Sequence, residues 1–225
     1  MNVKYRPLLA EFLGTALFVF IGAGSVVANA VTNGGIGSLG VAAAHGVGMA
    51  VLISSLMHIS GGHFNPAVSL GVYVAGKIDL KTFGKYVVAQ LVGGIAGAAL
   101  VRVLFNAASV HAVSAGAPHL SITISFMQAV GLEALLTFFL VSAVFGTAIS
   151  SHAPKIGGFG IGLAIFVSAL VAGGLTGAAL NPARAFGPAI IAWTFHSQAV
   201  YWIGPAIGGA AAGWVWKMFL LPEKG

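Results

Sequence analysis

From residue 12 to residue 76 the chain carries no Asp, Glu, Lys or Arg. One helix of those 65 residues, rising ~1.5 Å per residue, would far exceed the ~30 Å hydrocarbon core of a bilayer. The run must therefore turn back, and "TNGGIGS" (32–38) and "HISGGHFNP" (58–66) supply the breaks. The same pattern along the chain predicts helices at 8–31, 39–58, 83–105, 124–149, 157–176 and 199–220. Two further apolar pieces, 65–74 and 181–191, are too short to span, and each begins at an Asn-Pro pair.

Composition sets the class. The 225 residues are 58% hydrophobic and 6% charged, whereas soluble domains are roughly a quarter charged; the mean hydropathy is +1.00. The expected fold is an all-α membrane protein, a single domain over 1–225 with six transmembrane helices and two half-helices. With no cysteine, disulfides, thiolate catalysis and Cys-type metal sites are excluded. A net charge of +6 raises nucleic acid as a partner, but the basic residues sit between and beside apolar segments, not in one stripe. Lys4, Arg6, the following apolar run and "ANA" at 28–30 resemble a signal peptide. Glu11 inside the would-be apolar core argues for a retained first helix.

The basic residues also orient the chain. With a cytoplasmic N-terminus, Lys4, Arg6, Lys77, Lys81, Lys85, Lys155, Lys217 and Lys224 fall inside and only Arg102 outside. That is a positive-inside bias, with both termini cytoplasmic. The two halves match in sequence. "AEFLGTALFVF" (10–20) aligns with "LEALLTFFLVS" (132–142), and "HFNPAVSLG" (63–71) with "ALNPARAFG" (179–187). Three spans per half turn the second half upside down, giving an inverted repeat over about 5–106 and 124–220 with interrupted segments in corresponding places. Such an arrangement points to a substrate path at the repeat interface.

Asn at the N-cap with Pro first in the helix starts a helix well. Asn65-Pro66-Ala67 and Asn181-Pro182-Ala183 should each open a half-helix, the two entering from opposite faces with their positive ends meeting near the midplane. Each Asn oxygen caps its own helix and leaves the amide hydrogens to donate into a cavity. The irregular backbone before each Asn suits a water-filled path, with the carbonyls of Gly61, Gly62, His63 and of Gly177, Ala178, Ala179 as acceptors. One such triplet alone is merely a capped turn; two in matching positions are more than that.

Glu11 and Glu133, each followed four residues later by Thr, lie within spans where a lone charge is costly. A proton relay is one reading, and the repeat favours a structural role as acceptors for loop backbone. Enzyme chemistry finds little here: four acidic residues, no phosphate loop or nucleophile elbow, and no metal site, since His58 and His63 lack a partnering carboxylate. An ion-coupled secondary transporter shares inverted repeats, but it needs ionisable residues along its path. Gly93/Gly97 and Gly209/Gly213 are helix-packing pairs. Arg184, three after Asn181 where the first repeat has Val68, is either a snorkelling Arg or a filter held by loop carbonyls.

"AEFLGT", "HISGGHFNPAVSLG", "TGAALNPARAFGPA" and "YWIGPAIGG" resemble the aquaporins, members of the major intrinsic protein family, from about residue 5 to residue 220. The resemblance implies a passive water channel that excludes protons and ions, a homotetramer in membrane lipid with one pore per subunit, and no cofactor. It supports Arg184 as a filter residue and implies His45, Ala169 and Ala178 as its companions, where His45 is otherwise a packing histidine. His119 resembles a fifth filter position. The water-only pattern has a Phe and a His where this chain has His45 and Ala169; plant tonoplast aquaporins are closer. Glycerol facilitators tend to carry Asp and a basic residue where this chain has Ala185 and Ala189. The scaffold is thus water-type and the filter permissive, with ammonia, hydrogen peroxide, urea or glycerol as further solutes. The implied location is the cell (inner) membrane, with a vacuolar-type membrane as the other choice.

Overall fold

The computed structural model describes residues 5–222. Lys4 and Lys224, part of the charge count above, lie outside the described residues. In chain order the helices are α1 (Arg6–Val31), α2 (Gly37–Ser60), α3 (Pro66–Val74), α4 (Leu80–Leu104), α5 (Ala107–Ala112), α6 (Phe126–Val144), α7 (Phe159–Ala172), α8 (Pro182–Ala192) and α9 (Val200–Val215). Among the described residues there is no strand. Wider π turns extend α6 through Phe145–Ile149 and α9 through Trp216–Leu220. The two extensions meet where Phe145 stacks on Trp216, ring centroids 5.7 Å apart at 15°.

Four helices, α1, α2, α4 and α6 extended to Ile149, are long and apolar enough to cross a membrane. The other two expected spans are shorter in regular helix. α9 reaches its expected end only with its π turn. α7 has 14 residues, ~21 Å at helical rise, where 157–176 was expected. Gly173 and Gly174 end it, and the chain then turns into the bundle. The connection after α4 holds α5 and a short 3₁₀ turn at Ser114–Gly116, elements with no hydrophobic signature of their own.

Side chains sort inside out relative to a soluble protein. Leu13, Leu17, Val47, Val51, Leu135 and Leu163 are exposed on outward faces, while Glu11, Gln90, Glu133 and Arg184 are buried. Helices pack α1 on α4, α6 on α9 and α2 on α7, and each half-helix docks on a long helix of the other half, α3 on α9 and α8 on α4. Glycine makes these approaches possible. A Cβ at Gly93 or Gly97 would strike the carbonyls of Phe12 and Ala16 on α1, and one at Gly209 or Gly213 those of Ala67 and Gly71 on α3. The second pair thus seats a half-helix. The α9–α6 contact uses Gly204 and Gly208, against the carbonyls of Val130 and Ala134.

α4 starts at Asp79, whose carboxylate accepts from the Thr82 backbone N–H at 2.6 Å. Hydrogen bonds from the Thr82 backbone and then its side chain hold the Asp79 carboxyl below its usual range, with Lys81 and Lys85 adding less. A lowered folded pKa stabilises above the ordinary carboxylate value and loses that contribution as pH falls through the folded one. Asp79→Ala should therefore lower the thermal midpoint of the detergent-purified protein near neutral pH. The gap to the parent should close as pH drops below about 4. A gap independent of pH would show that the cap is not carried by the charged form.

Candidate functional site: a cavity between two Asn-capped half-helices

α3 and α8 begin alike and touch at their starts. Asn65 Oδ1 accepts from the Ala67 N–H at 2.8 Å; Asn181 Oδ1 accepts from Ala183 at 3.0 Å and from Arg184 at 3.3 Å. Each Asn then reaches across to the other loop. Asn65 Nδ2 donates to the Leu180 carbonyl and Asn181 Nδ2 to the Phe64 carbonyl, both at 2.9 Å. The expectation that both amide hydrogens stay free for the cavity needs correction: one per Asn ties the two loops together, leaving one. Phe64 and Leu180 hold left-handed φ of 47° and 52°, a conformation that costs of order 1–3 kcal/mol for such side chains. It turns their carbonyls toward the opposite Asn.

Two buried carboxylates hold the loops in place. Glu11 Oε1 accepts from the Ser60 hydroxyl at 2.7 Å and the His63 N–H at 3.0 Å. Its Oε2 accepts from the Phe64 N–H at 2.7 Å and from Gln90 Nε2 at 2.8 Å. Glu133 accepts from the Thr176 hydroxyl at 2.6 Å and the N–H groups of Ala179 and Leu180 at 2.9 and 2.7 Å. Tyr86 and Tyr201 close each ring by donating to the carbonyls of Ser60 and Thr176 at 2.8 and 2.9 Å. Ser60 and Thr176 both stand five residues before their Asn, and the tyrosines follow it by 21 and 20. Aligning the halves past the triplets exposes that signal, which the sequence reading passed over along with Gln90 and Ser69.

A cavity of about 300 Å³ runs between these loops, lined by Asn65, Asn181, Arg184, His45, His63, His119, Ala169 and Ala178 among others. Gly62, Gly177 and Ala179 border it as well; Gly61 does not, being the left-handed cap that ends α2. Ala178 is buried with a φ of 44°. His119 is exposed and makes no side-chain hydrogen bond to a described residue.

Arg184 donates from Nη1 to the Gly116 carbonyl at 2.9 Å and from Nη2 to His45 Nε2 at 3.1 Å. One loop carbonyl and one imidazole thus hold it, where carbonyls alone were expected. A guanidinium only donates, so His45 Nε2 accepts and the ring proton sits on Nδ1, which donates to the Val41 carbonyl at 2.9 Å. Both His45 nitrogens are therefore used, which leaves neither for a passing solute. Gly22 leaves room for the ring, since a Cβ there would lie 2.6 Å from Nε2.

A family model described as "Major intrinsic protein" matches residues 2–216. The chain belongs to the major intrinsic protein family. It is 40% identical over 231 residues to "Aquaporin TIP4-4" of Zea mays, covering 98% of this chain and 88% of that one. To "Aquaporin-8" of Rattus norvegicus it is 40% identical over 223 residues, covering 97% and 83%. Among solved structures, "X-ray structure of the aquaglyceroporin from Plasmodium falciparum" superposes with a TM-score of 0.85 at 27% identity, covering 95% and 96%. This major intrinsic protein is an integral, multi-pass membrane protein with the aquaporin fold, and its family is one of channels for water and small solutes.

Proposed function

We propose that the chain is a passive channel for water that also passes small neutral solutes (ammonia, and among hydrogen peroxide, urea and glycerol those that fit) while excluding protons and ions. The observation that carries this reading is the reciprocal crossing of Asn65 and Asn181, which holds two positive helix ends at the middle of one cavity. Positive ends and Arg184 oppose cations, and the remaining Asn amide and Arg184 Nη hydrogens are the donors for neutral molecules that accept hydrogen bonds. The filter is Arg184, His45, Ala169 and Ala178, with His119 at its outer edge. The carbonyls of Gly62, His63, Gly177, Ala178 and Ala179 are the acceptors of the file. Glu11 and Glu133 serve it structurally.

The unit is one domain of two inverted repeats, assembled as a homotetramer in lipid with both termini cytoplasmic. The cell (inner) membrane is its location, with a vacuolar-type membrane as the second choice because of its likeness to "TIP" aquaporins. No described cluster of three His, Cys, Asp or Glu is placed to hold a metal, and the reading needs no cofactor and no enzymatic step.

Width decides the solute range. Ala169 and Ala178 leave space beside Arg184 that larger residues would fill. Stopped-flow light scattering on proteoliposomes should show entry of ammonia, and of at least one of urea, hydrogen peroxide and glycerol. The combined variant His45→Phe/Ala169→His should lose that entry and keep water. A parent that excludes ammonia, urea and glycerol as fully as the narrowed variant has a water-only filter. An ammonia flux that needs a proton or sodium gradient would instead favour a coupled transporter.

A further inference from the structure

We propose that Gly22 of α1, which does not itself line the cavity, is a positioning residue: it seats the His45 ring back against α1 and so sets the width of the path beside Arg184. The proposal rests on the channel reading above. A glycine inside a helix costs stability relative to alanine, so Gly22, buried within α1, calls for a reason. A Cβ there would stand 2.6 Å from His45 Nε2 and 2.7 Å from its Cδ2, well inside ordinary contact. The bare backbone of Gly22 is therefore the floor on which the ring lies.

Three further contacts fix the ring on that floor. Nδ1 donates to the Val41 carbonyl at 2.9 Å, one turn back on α2. Phe18, one turn before Gly22, meets the ring edge-on at 5.9 Å and 82°. Nε2 accepts from Arg184 Nη2 at 3.1 Å. With α1 behind it and the cavity in front, the ring yields toward the path when α1 pushes. Relieving the 2.6 Å approach to an ordinary ~3.5 Å contact carries it roughly 1 Å that way. The same shift disturbs its bond to Arg184.

α1 seats the second holder of Arg184 as well. Gly116, whose carbonyl accepts from Nη1 at 2.9 Å, comes so near Ala23 that a Cβ on it would lie 2.7 Å from the Ala23 Cα and carbonyl oxygen. Two consecutive small residues of α1 thus carry both acceptors that hold the guanidinium. The second repeat lacks this seat. In the alignment of the halves, Phe18 and Gly22 correspond to Leu140 and Val144, and those two line the cavity themselves. Where α6 fills its share of the path with apolar side chains, α1 recedes and leaves the room to an imidazole.

The test is a double-mutant cycle of Gly22→Ala and His45→Ala in the full-length protein, read in proteoliposomes as ammonia and urea entry relative to water. One methyl group in a close-fitting site discriminates by roughly ten- to two-hundred-fold, so Gly22→Ala should lower that ratio about ten-fold or more. In the His45→Ala background no ring is left to push, and the same methyl should change the ratio by less than about two-fold. If the parent passes water alone, the cycle is read on osmotic water flux, with a fall expected only where His45 is present. Nitrogen NMR of histidine-labelled protein in bilayers needs no flux. The His45 Nε2 signal, assigned by its absence in His45→Ala, should be that of a bare acceptor in the parent and should move in Gly22→Ala. An unmoved signal, a Gly22→Ala that conducts like the parent, or the same loss in both backgrounds overturns the proposal. Should Gly22→Ala fail to assemble, assembly of Gly22→Ala/His45→Ala supports the seat, and failure of both overturns it. A parent that conducts nothing overturns the channel reading, and the NMR shift still decides whether Gly22 seats His45.

Discussion

Glu11→Ala should prevent the protein from assembling in a stable form. The substitution removes the acceptor of four donors at once: the Ser60 hydroxyl, the His63 and Phe64 N–H groups and Gln90 Nε2. Glu11 is fully buried, so water cannot take its place without opening the bundle. A buried donor left without a partner costs ~1–3 kcal/mol, and four together approach the ~5–15 kcal/mol that typically separates folded from unfolded chains. Glu11→Gln keeps one acceptor oxygen and turns an amide NH₂ against donors, so it should be intermediate. Thermal midpoints and monodispersity in detergent should rank parent, Gln, Ala in falling order. An Ala variant as stable as the parent would mean that the loop holds its shape without the carboxylate. Glu133→Ala, which orphans three donors, should follow the same order with a smaller loss.

The largest functional effect is expected at Arg184. Arg184→Val removes the one strong charge that lines the cavity, from a side chain only 3% exposed. A unit charge ~4 Å from a cation at an effective dielectric of ~20 opposes it by about 4 kcal/mol, roughly a thousand-fold in partition. The half-helix ends, each worth about half a charge, remain and retain part of the barrier. Proton and small-cation leak through Arg184→Val proteoliposomes should therefore rise by roughly ten- to a thousand-fold while water still passes. The variant also frees His45 Nε2, which then has no described partner. A correctly folded Arg184→Val with an unchanged leak would assign Arg184 to structure and leave exclusion to the helix ends.

Much of this was legible in the chain because it is written in backbone preferences. Asn-Pro starts a helix whatever surrounds it, so α3 and α8 begin where the two triplets predict. Long apolar blocks between turn residues located the long helices to within a few residues. The shortfall of α7 came from Gly173 and Gly174, which ended the helix while the apolar pattern ran on. Side-chain destinations were harder to read. The second partner of each Asn lies 115 or 117 residues away, and no local rule names it.

His45 shows the same limit. Its place beside Arg184 followed from a resemblance, but the use of both ring nitrogens depends on Val41 one turn back and on the reach of Arg184. Gly209 and Gly213 were visible as a packing pair, yet their partner is a half-helix, which spacing alone does not tell. Gln90 has no equivalent in the second half, so comparing the repeats could not reveal it. Tyr86 and Tyr201 do correspond, and a longer alignment of the halves would have found them.

The proposed channel is a path for neutral molecules, held open by the crossed half-helices, that carries no charge. It is tested most directly by osmotic shrinkage of proteoliposomes, recorded with membrane current on the same preparation. Shrinkage should run well above that of empty vesicles, with no current and no dependence on a proton or sodium gradient. Shrinkage no faster than empty vesicles, or water movement that requires an ion gradient, would contradict it.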